Sequence, residues 1–155
     1  MARAAKRGAG REKKASPQLG FVLDSSLTVA WHFDDETNAY ADAVEDTLAV
    51  NAAMVPSLWP LEVANALLMG ERRKRTTAAK VGQFLALLHA LSIRIDDETP
   101  TRAWRETLHL ARAHALSVYD AAYLELALRR GLPLASLDDQ LKKAAAAVGV
   151  AELKP

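Results

Sequence analysis

The chain has 155 residues, enough for a single domain with one sizeable core, because domains cluster at roughly 100–200 residues. Half of the residues are hydrophobic and a quarter are charged, which is the composition of an ordinary globular protein. The absence of cysteine excludes disulfides, a thiolate nucleophile and zinc sites built on sulfur. No apolar stretch approaches the roughly 18–20 residues that cross a bilayer, so we expect a cytoplasmic protein without membrane contact.

The charges are divided unequally along the chain. Residues 1–18 hold six basic residues and one acidic residue, a net charge of +5, whereas residues 19–155 hold 14 basic and 18 acidic residues, a net charge of −4. The first segment has almost no large apolar side chains and no apolar run of the kind found in secretory signals. We therefore predict a disordered basic arm over residues 1–18 and one folded, acidic domain over residues 19–155.

From residue 20 onward, short apolar runs alternate with helical patterns. We predict strands at residues 21–23, 53–55, 93–95 and 133–137, and a short edge strand at 150–153. Helices are predicted at residues 27–31, 37–50, 60–73, 77–91, 100–115, 118–130 and 139–148. This alternation predicts an α/β fold, a three-layer α/β/α sandwich around a mostly parallel sheet of four to five strands. In such sheets the ligand site lies beyond the carboxyl ends of the strands.

Two acidic residues directly follow predicted strands. Asp24 directly follows the first strand, and an N-cap role for the next helix is the stronger alternative when this residue is taken alone. Asp138 follows the fourth strand in the same way, and Ser136 could add a hydroxyl to the same crevice. The neighbouring Asp139 is the second choice, although an acid in the opening turn of a helix more readily faces outward.

Two further acidic residues lie in the first turns of nearly apolar helices. From Trp59 to Met69 the only polar residues are Glu62 and Asn65, which are three apart and therefore share a helix face. We expect such a helix to be buried all round, and an unpaired buried carboxylate costs several kcal/mol. The alternative, that Glu62 only favours a helix N-terminus, offers about 0.3–1 kcal/mol and is too small. Asp120 opens the apolar helix near residues 116–128, with a displaced N-cap as its alternative.

These four carboxylates are predicted to meet at one edge of the sheet. They would repel one another and raise each other's pKa unless a cation lies among them. Oxygen ligands without cysteine or histidine suit Mg²⁺ or Mn²⁺, which promote phosphoryl chemistry by activating water and stabilising the leaving oxygen. The pattern predicts a metal-assisted phosphoryl-transfer site made of Asp24, Glu62, Asp120 and Asp138.

Four segments carry a family resemblance that covers about residues 20–153. They are Phe21-Val22-Leu23-Asp24-Ser25-Ser26, Pro60-Leu61-Glu62-Val63-Ala64-Asn65-Ala66-Leu67, Ser117-Val118-Tyr119-Asp120-Ala121-Ala122-Tyr123-Leu124 and Pro133-Leu134-Ala135-Ser136-Leu137-Asp138. In this order they resemble the PIN-domain nucleases, specifically the VapC-type toxins of prokaryotic toxin–antitoxin pairs.

The resemblance implies a fold, a reaction and partners. It implies a PIN-like domain in which Asp24, Glu62, Asp120 and Asp138 bind one or two Mg²⁺ or Mn²⁺ ions and cleave single-stranded RNA by metal-activated water. Ser136 and Asn65 would support these acids. A cognate VapB-like antitoxin and a homodimer are expected on the same ground.

An acidic site repels RNA, so basic residues must flank it. The densest basic run of the body, residues 71–75, leaves the helix that carries Glu62. Arg72, Arg73 and Arg75 are therefore candidate RNA contacts, with a solvated helix end as an equal alternative. For Arg129 and Arg130, at another helix end, the solvated alternative is favoured.

The remaining polar and aromatic residues are assigned to packing or to the surface. Glu125 is expected to reach solvent or to pair with Arg129, four residues on. Histidines with no metal-binding spacing are assigned to packing or surface positions, and tryptophans at core spacing on helix faces are assigned to the core. The histidines are His32, His89, His109 and His114, and the tryptophans are Trp31, Trp59 and Trp104.

Other α/β classes fit the sequence less well. A haloacid-dehalogenase-like hydrolase needs an acid where Ser26 stands, a response-regulator receiver needs a lysine after a late strand, and no glycine-rich phosphate loop is present. The alternative from another class is a catalytically silent PIN-fold module that only binds protein. The intact set of four acids argues against this alternative, because mutations should have removed buried charged residues that no metal stabilises. A nucleic-acid-binding protein that acts through its basic arm is the weaker third alternative.

Overall fold

A computed structural model describes residues 16–155 of the chain. The predicted arm over residues 1–18 lies outside the described residues except for its last three. Of these, Gln18 already belongs to the first strand, so that strand begins inside the predicted arm. Within residues 16–155 no helix combines the length and the apolar character that spanning a membrane requires.

Four parallel strands form the sheet. They are β1 (Gln18–Leu23), β2 (Asn51–Pro56), β3 (Ile93–Asp96) and β4 (Leu134–Ala135), in the order β3-β2-β1-β4. Each neighbouring pair is parallel, which confirms the predicted α/β fold class. The fourth strand is shorter than its apolar run, and the strand predicted at residues 150–153 is reduced to one bridge between Glu152 and Leu134.

Helices cover both faces of the central strands. Phe21, Val22 and Leu23 are each 0% exposed, although successive side chains of a strand point to opposite faces. Residues 52–55 of β2 are buried in the same consecutive manner. Both faces must therefore be packed, which explains why these strands have continuous rather than alternating apolar sequences.

Eight α-helices surround the sheet in the described part of the chain. They are α1 (Ser25–His32), α2 (Ala39–Thr47), α3 (Trp59–Arg72), α4 (Ala78–Ala90), α5 (Thr99–Arg102), α6 (Leu108–His114), α7 (Val118–Arg130) and α8 (Asp139–Ala147). Asn38 and Thr77 cap α2 and α4 by accepting backbone N–H bonds, so these helices begin at Ala39 and Ala78 and not at the predicted residues 37 and 77. The end of α7 at Gly131, with φ +62°, is the left-handed stop that glycine favours.

The helix predicted at residues 100–115 is interrupted. A π-helical turn, Ala103–Thr107, separates α5 from α6. Trp104 lies on this turn and is 85% exposed, so the prediction that it packs in the core is wrong. The wider turn rotates Trp104 away from the face that buries Ala111, which a regular 3.6-residue spacing could not reveal.

A buried ion-pair cluster joins α7 to the end of β3. Arg129 donates from Nε to Glu125 Oε1 at 2.8 Å and from Nη2 to Asp96 Oδ2 at 2.8 Å. Glu125 was expected to reach solvent or to pair with Arg129. It is only 5% exposed, and the pairing with Arg129 is the alternative that the structure confirms. Arg129 is paired with these carboxylates and stabilises the fold. Arg130 is exposed, so the predicted solvated position at the helix end holds for Arg130 alone of the two.

Candidate functional site

The four predicted acids come from four parts of the chain and line one open cavity of about 570 Å³. Asp24 lies at the end of β1, Glu62 and Asp120 lie in the first turns of α3 and α7, and Asp138 directly precedes α8. Other residues of this carboxylate cavity include Ser26, Asn65 and Glu36.

Strand register brings Asp24 opposite Ser136. Leu23 pairs with Ala135 between β1 and β4, and the Asp24 backbone N–H donates to the Ala135 carbonyl at 3.0 Å. Asp24 occupies the N-cap position of α1, but its side chain makes no capping hydrogen bond. The capping interpretation of Asp24 is therefore wrong, and its carboxylate serves another purpose.

Two serine hydroxyls hold the Asp24 carboxylate by one oxygen. Ser26 and Ser136 both donate to Oδ2, at 2.6 and 2.7 Å. The same two hydroxyls accept the backbone N–H groups of Leu137 and Asp138, each at 3.0 Å, so they are fixed in orientation. Oδ1 of Asp24 has no hydrogen-bond partner within residues 16–155. This oxygen remains available to an external ligand.

A tyrosine holds Glu62. The fully buried Tyr123 of α7 donates its hydroxyl to Glu62 Oε1 at 2.5 Å and so links α7 to α3. Tyr123 had no predicted role. Its position three residues after Asp120, on the same face of α7, was the available signal.

The burial of Glu62 differs from the expectation. The helix α3 is not buried all round, because Leu61 is 75% exposed and Asn65 is exposed as well. Glu62 is half-buried. Its burial arises from its own position on α3 facing α7, and not from a helix enclosed on every side.

Asp120 and Asp138 reach the cavity from capped helices. Ser117 accepts the Asp120 backbone N–H at 3.0 Å and is the N-cap of α7, so Asp120 is not a displaced cap. Asp138 accepts the Leu141 N–H on Oδ1 at 2.8 Å while it lines the cavity. The neighbouring Asp139 is 87% exposed and pairs with Lys142 on the surface.

Burial and mutual repulsion raise the pKa values of three of these carboxyl groups, Asp24, Glu62 and Asp120. The pKa of Asp24 is raised by burial and by the charges of Asp120 and Asp138, against the lowering effect of the two serine hydroxyls. The pKa of Glu62 is raised by burial, opposed by the Tyr123 hydroxyl. Burial and the charge of Asp138 raise the pKa of Asp120. The protein alone therefore disfavours full ionisation of this cavity.

The donor set fits a hard divalent cation that keeps part of its water. Within residues 16–155 no three acidic or histidine side chains already converge into a group that would hold a metal ion directly. Mg²⁺ usually retains several waters and binds through only one or two carboxylates, so a ready-made cage is not needed. A divalent cation bound in this cavity would stabilise the ionised form of its carboxylates.

The candidate RNA contacts differ in their surroundings. Arg75 donates from Nη2 to Asp35 Oδ1 and to Glu36 Oε1, both at 2.8 Å. Arg72 and Arg73 are exposed and form no ion pair within the described residues. The run is therefore not uniform, since Arg75 alone is fixed next to a residue of the carboxylate cavity.

The family model described as PIN domain matches residues 21–147, a span that includes all four acids of the cavity. The chain therefore belongs to the PIN domain family. Among curated protein sequences, none matches the chain.

Several solved structures share the fold. PAE2754 from Pyrobaculum aerophilum is 24% identical, with a TM-score of 0.61 over 82% of this chain and 86% of that one. Mycobacterium tuberculosis VapC20, described as a sarcin–ricin loop cleaving toxin, is 17% identical, with a TM-score of 0.56 over 89% of this chain and 99% of that one. FitAcB from Neisseria gonorrhoeae is 17% identical, with a TM-score of 0.50 over 89% and 97%.

Proposed function

We propose that this protein is a metal-dependent endoribonuclease that cleaves single-stranded RNA and acts as the toxin of a toxin–antitoxin pair. The observation that carries the proposal is the convergence of Asp24, Glu62, Asp120 and Asp138 on one cavity. PIN domains are generally nucleases, and the match to that family supports the same reaction class here.

Each of the four acids has a role in this proposal. Asp24, Glu62 and Asp120 would hold the principal Mg²⁺ or Mn²⁺ ion, in part through waters that the ion retains, and Asp138 would complete the site or help to bind a second ion. Ser136 keeps Asp24 oriented through one carboxylate oxygen, and Asn65 lies beside Glu62 on the cavity wall.

The protein's own contribution is orientation and charge. When bound, the metal supplies a water of lowered pKa and stabilises the leaving oxygen of the phosphodiester. The serines and Tyr123 fix the Asp24 and Glu62 carboxylates, so little conformational freedom is lost on binding. The acids surround the cavity with negative charge, and basic residues at its rim are needed to admit RNA. Arg72, Arg73 and Arg75 are the proposed contacts.

We extend the proposal to the partners. A VapB-like antitoxin would bind this chain, which would act as a homodimer in the cytoplasm. The likeness in fold to VapC20 supports the toxin assignment. Three exposed leucines support a protein contact: Leu61 and Leu68 on α3 are 75% and 42% exposed, and Leu87 on α4 is 69% exposed.

The test is a cleavage assay on single-stranded RNA. The purified chain should cut RNA with Mg²⁺ or Mn²⁺ and stop when EDTA is added, and Asp120→Asn should be inactive. Asp139→Asn serves as the matched control because this carboxylate points to the surface. Equal cleavage by the wild type and Asp120→Asn, or cleavage that EDTA leaves unchanged, would rule out the mechanism.

The same assay separates the nuclease from the catalytically silent binding module. That alternative predicts no metal-dependent cleavage by the wild-type chain. Expression of a toxin should arrest growth, and Asp24→Ala should relieve the arrest. If the chain is a silent module, cells that express the wild-type chain and cells that express Asp24→Ala should grow equally.

A further inference from the structure

We propose that Arg75 binds an RNA phosphate next to the cleavage site, an inference that rests on the proposed ribonuclease function. Arg72 and Arg73 lie at the far end of α3, about 15 Å along the helix axis from Glu62. After them the chain reverses at Lys74, which has φ +58°, and the Arg75 N–H donates back to the Gly70 carbonyl at 2.9 Å. This turn directs Arg75 to the rim of the carboxylate cavity.

The position of the guanidinium follows from two contacts. Its Nη2 lies 2.8 Å from Glu36 Oε1, and Glu36 is part of the lining of the carboxylate cavity. Its carbon Cζ lies 4.2 Å from the centre of the Phe33 ring. Phe33 is only 3% exposed and packs against Gly70 so closely that a Cβ there would not fit. Arg75 therefore lies on a rigid aromatic surface beside the site.

The guanidinium keeps donors for a ligand. Nη2 makes all of its contacts with Asp35 and Glu36, while Nη1 and Nε make no hydrogen bond within the described residues. The planar fork of an arginine matches two phosphate oxygens. Lys80 lines the same neighbouring groove of about 510 Å³ as Arg75, so a second cation is present along this path.

In the absence of RNA, the Asp35 carboxylate forms an ion pair with the Arg75 guanidinium. Its side chain is 68% exposed, and exposed ion pairs of this kind are weak, so a phosphate can replace it. Asp35 therefore competes with RNA for the same guanidinium. This predicts opposite effects of two substitutions that both break the Arg75–Asp35 ion pair: removal of Arg75 weakens RNA binding, whereas removal of Asp35 strengthens it.

The test measures fluorescence anisotropy of a labelled single-stranded RNA at several salt concentrations, with the full chain carrying Asp120→Asn so that RNA stays intact. Arg75→Gln should weaken binding about tenfold, the loss of one charged hydrogen-bonded contact, and should lower the slope of log affinity against log salt by about 0.7. Arg75→Lys should retain the slope. Asp35→Asn should tighten binding by about two- to fivefold. Arg130→Gln, at the other end of α7 from Asp120, should change nothing.

Two results would overturn the assignment. Arg75→Gln with unchanged affinity and salt slope shows that no phosphate is bound there. Equal weakening by Arg75→Gln and Asp35→Asn shows that the ion pair only clamps the acidic turn in the fold. Cleavage by the chain with its native Asp120, measured in parallel, reports separately on the ribonuclease function, so the two failures are distinguishable.

Discussion

The hydroxyl of Tyr123 donates a 2.5 Å hydrogen bond to Glu62 Oε1 and joins two helices that are far apart in sequence. The bond fixes one acid of the cavity from the helix that also carries Asp120. Two acids of the site therefore depend on the packing of α7, and a change inside this helix alters the cavity without touching its surface.

Tyr123→Phe should raise the pKa of Glu62, because the lost hydroxyl is a contact that lowers it. If cleavage needs ionised Glu62, the acidic limb of the pH–rate profile will move to higher pH. The free energy of unfolding should fall by about 1–2 kcal/mol, since a half-buried carboxylate loses its donor.

Tyr40→Phe is the matched control for this substitution. Tyr40 donates its hydroxyl to the Leu153 carbonyl, away from the acids. Tyr40→Phe should lower the free energy of unfolding by a similar amount and leave the pH–rate profile unchanged. A shift of equal size in both variants would contradict a specific effect on Glu62.

Ser136→Ala should weaken metal binding through Asp24. The hydroxyl is fully buried, donates to Asp24 and accepts the Asp138 N–H. Its loss leaves the Asp138 N–H without a partner and Asp24 Oδ2 with Ser26 as its remaining donor, and should cost about 1–3 kcal/mol of stability. Loss of a group that orients a metal ligand usually lowers metal affinity about 10–100-fold. Titration with Mn²⁺ and urea unfolding measure the two effects, and a destabilised variant with normal Mn²⁺ affinity would show that Ser136 acts in the fold alone.

Asp120→Asn should stabilise the metal-free protein at neutral pH. The pKa of Asp120 is raised above its ordinary value of 3.8, mainly by burial, so the folded protein binds more protons than the unfolded chain above about pH 4. The free energy of unfolding therefore falls as the pH rises through this window, and the penalty persists at higher pH. An uncharged amide removes this penalty.

The check on Asp120→Asn is a thermal melt in EDTA at pH 4 and at pH 7. The melting temperature of the variant should exceed that of the wild type by more at pH 7 than at pH 4. Added Mn²⁺ should stabilise the wild type and have a smaller effect on the variant, because the ion binds the folded state through this carboxylate. A variant that melts below the wild type in EDTA at pH 7 argues against a repulsive cavity.

Gly70→Ala should destabilise the protein by about 1–3 kcal/mol. A Cβ at this position would lie 2.6 Å from Phe33 Cε1, and the rigid ring cannot move without disturbing the acidic turn beside it. Gly82→Ala is the control, because Gly82 lies in α4 with nothing near its missing Cβ. It should stabilise the protein by about 0.5–1 kcal/mol. Urea unfolding of both variants tests the contact.

The sequence was most informative where local chemistry decides the structure. Apolar runs located the parallel strands, and the helical pattern over residues 118–130 located α7. The four acids followed from their places at strand ends and first helical turns, since these positions meet at one edge of the sheet.

The contacts that hold the acids depend on tertiary packing and could not be predicted in this way. Tyr123 and Glu62 are 61 residues apart, and Arg75 and Glu36 are 39 apart. No local pattern specifies either pair. The same holds for Trp104, whose exposure results from a π-helical turn that interrupts the expected periodicity.

Calorimetric titration with Mn²⁺ shows whether the carboxylate cavity binds a divalent metal. The wild-type chain should bind Mn²⁺, Asp24→Asn should lose this binding, and Asp139→Asn should retain it because Asp139 pairs with Lys142 on the surface. Equal Mn²⁺ binding by the wild type and Asp24→Asn, or no binding by the wild type, would contradict the account.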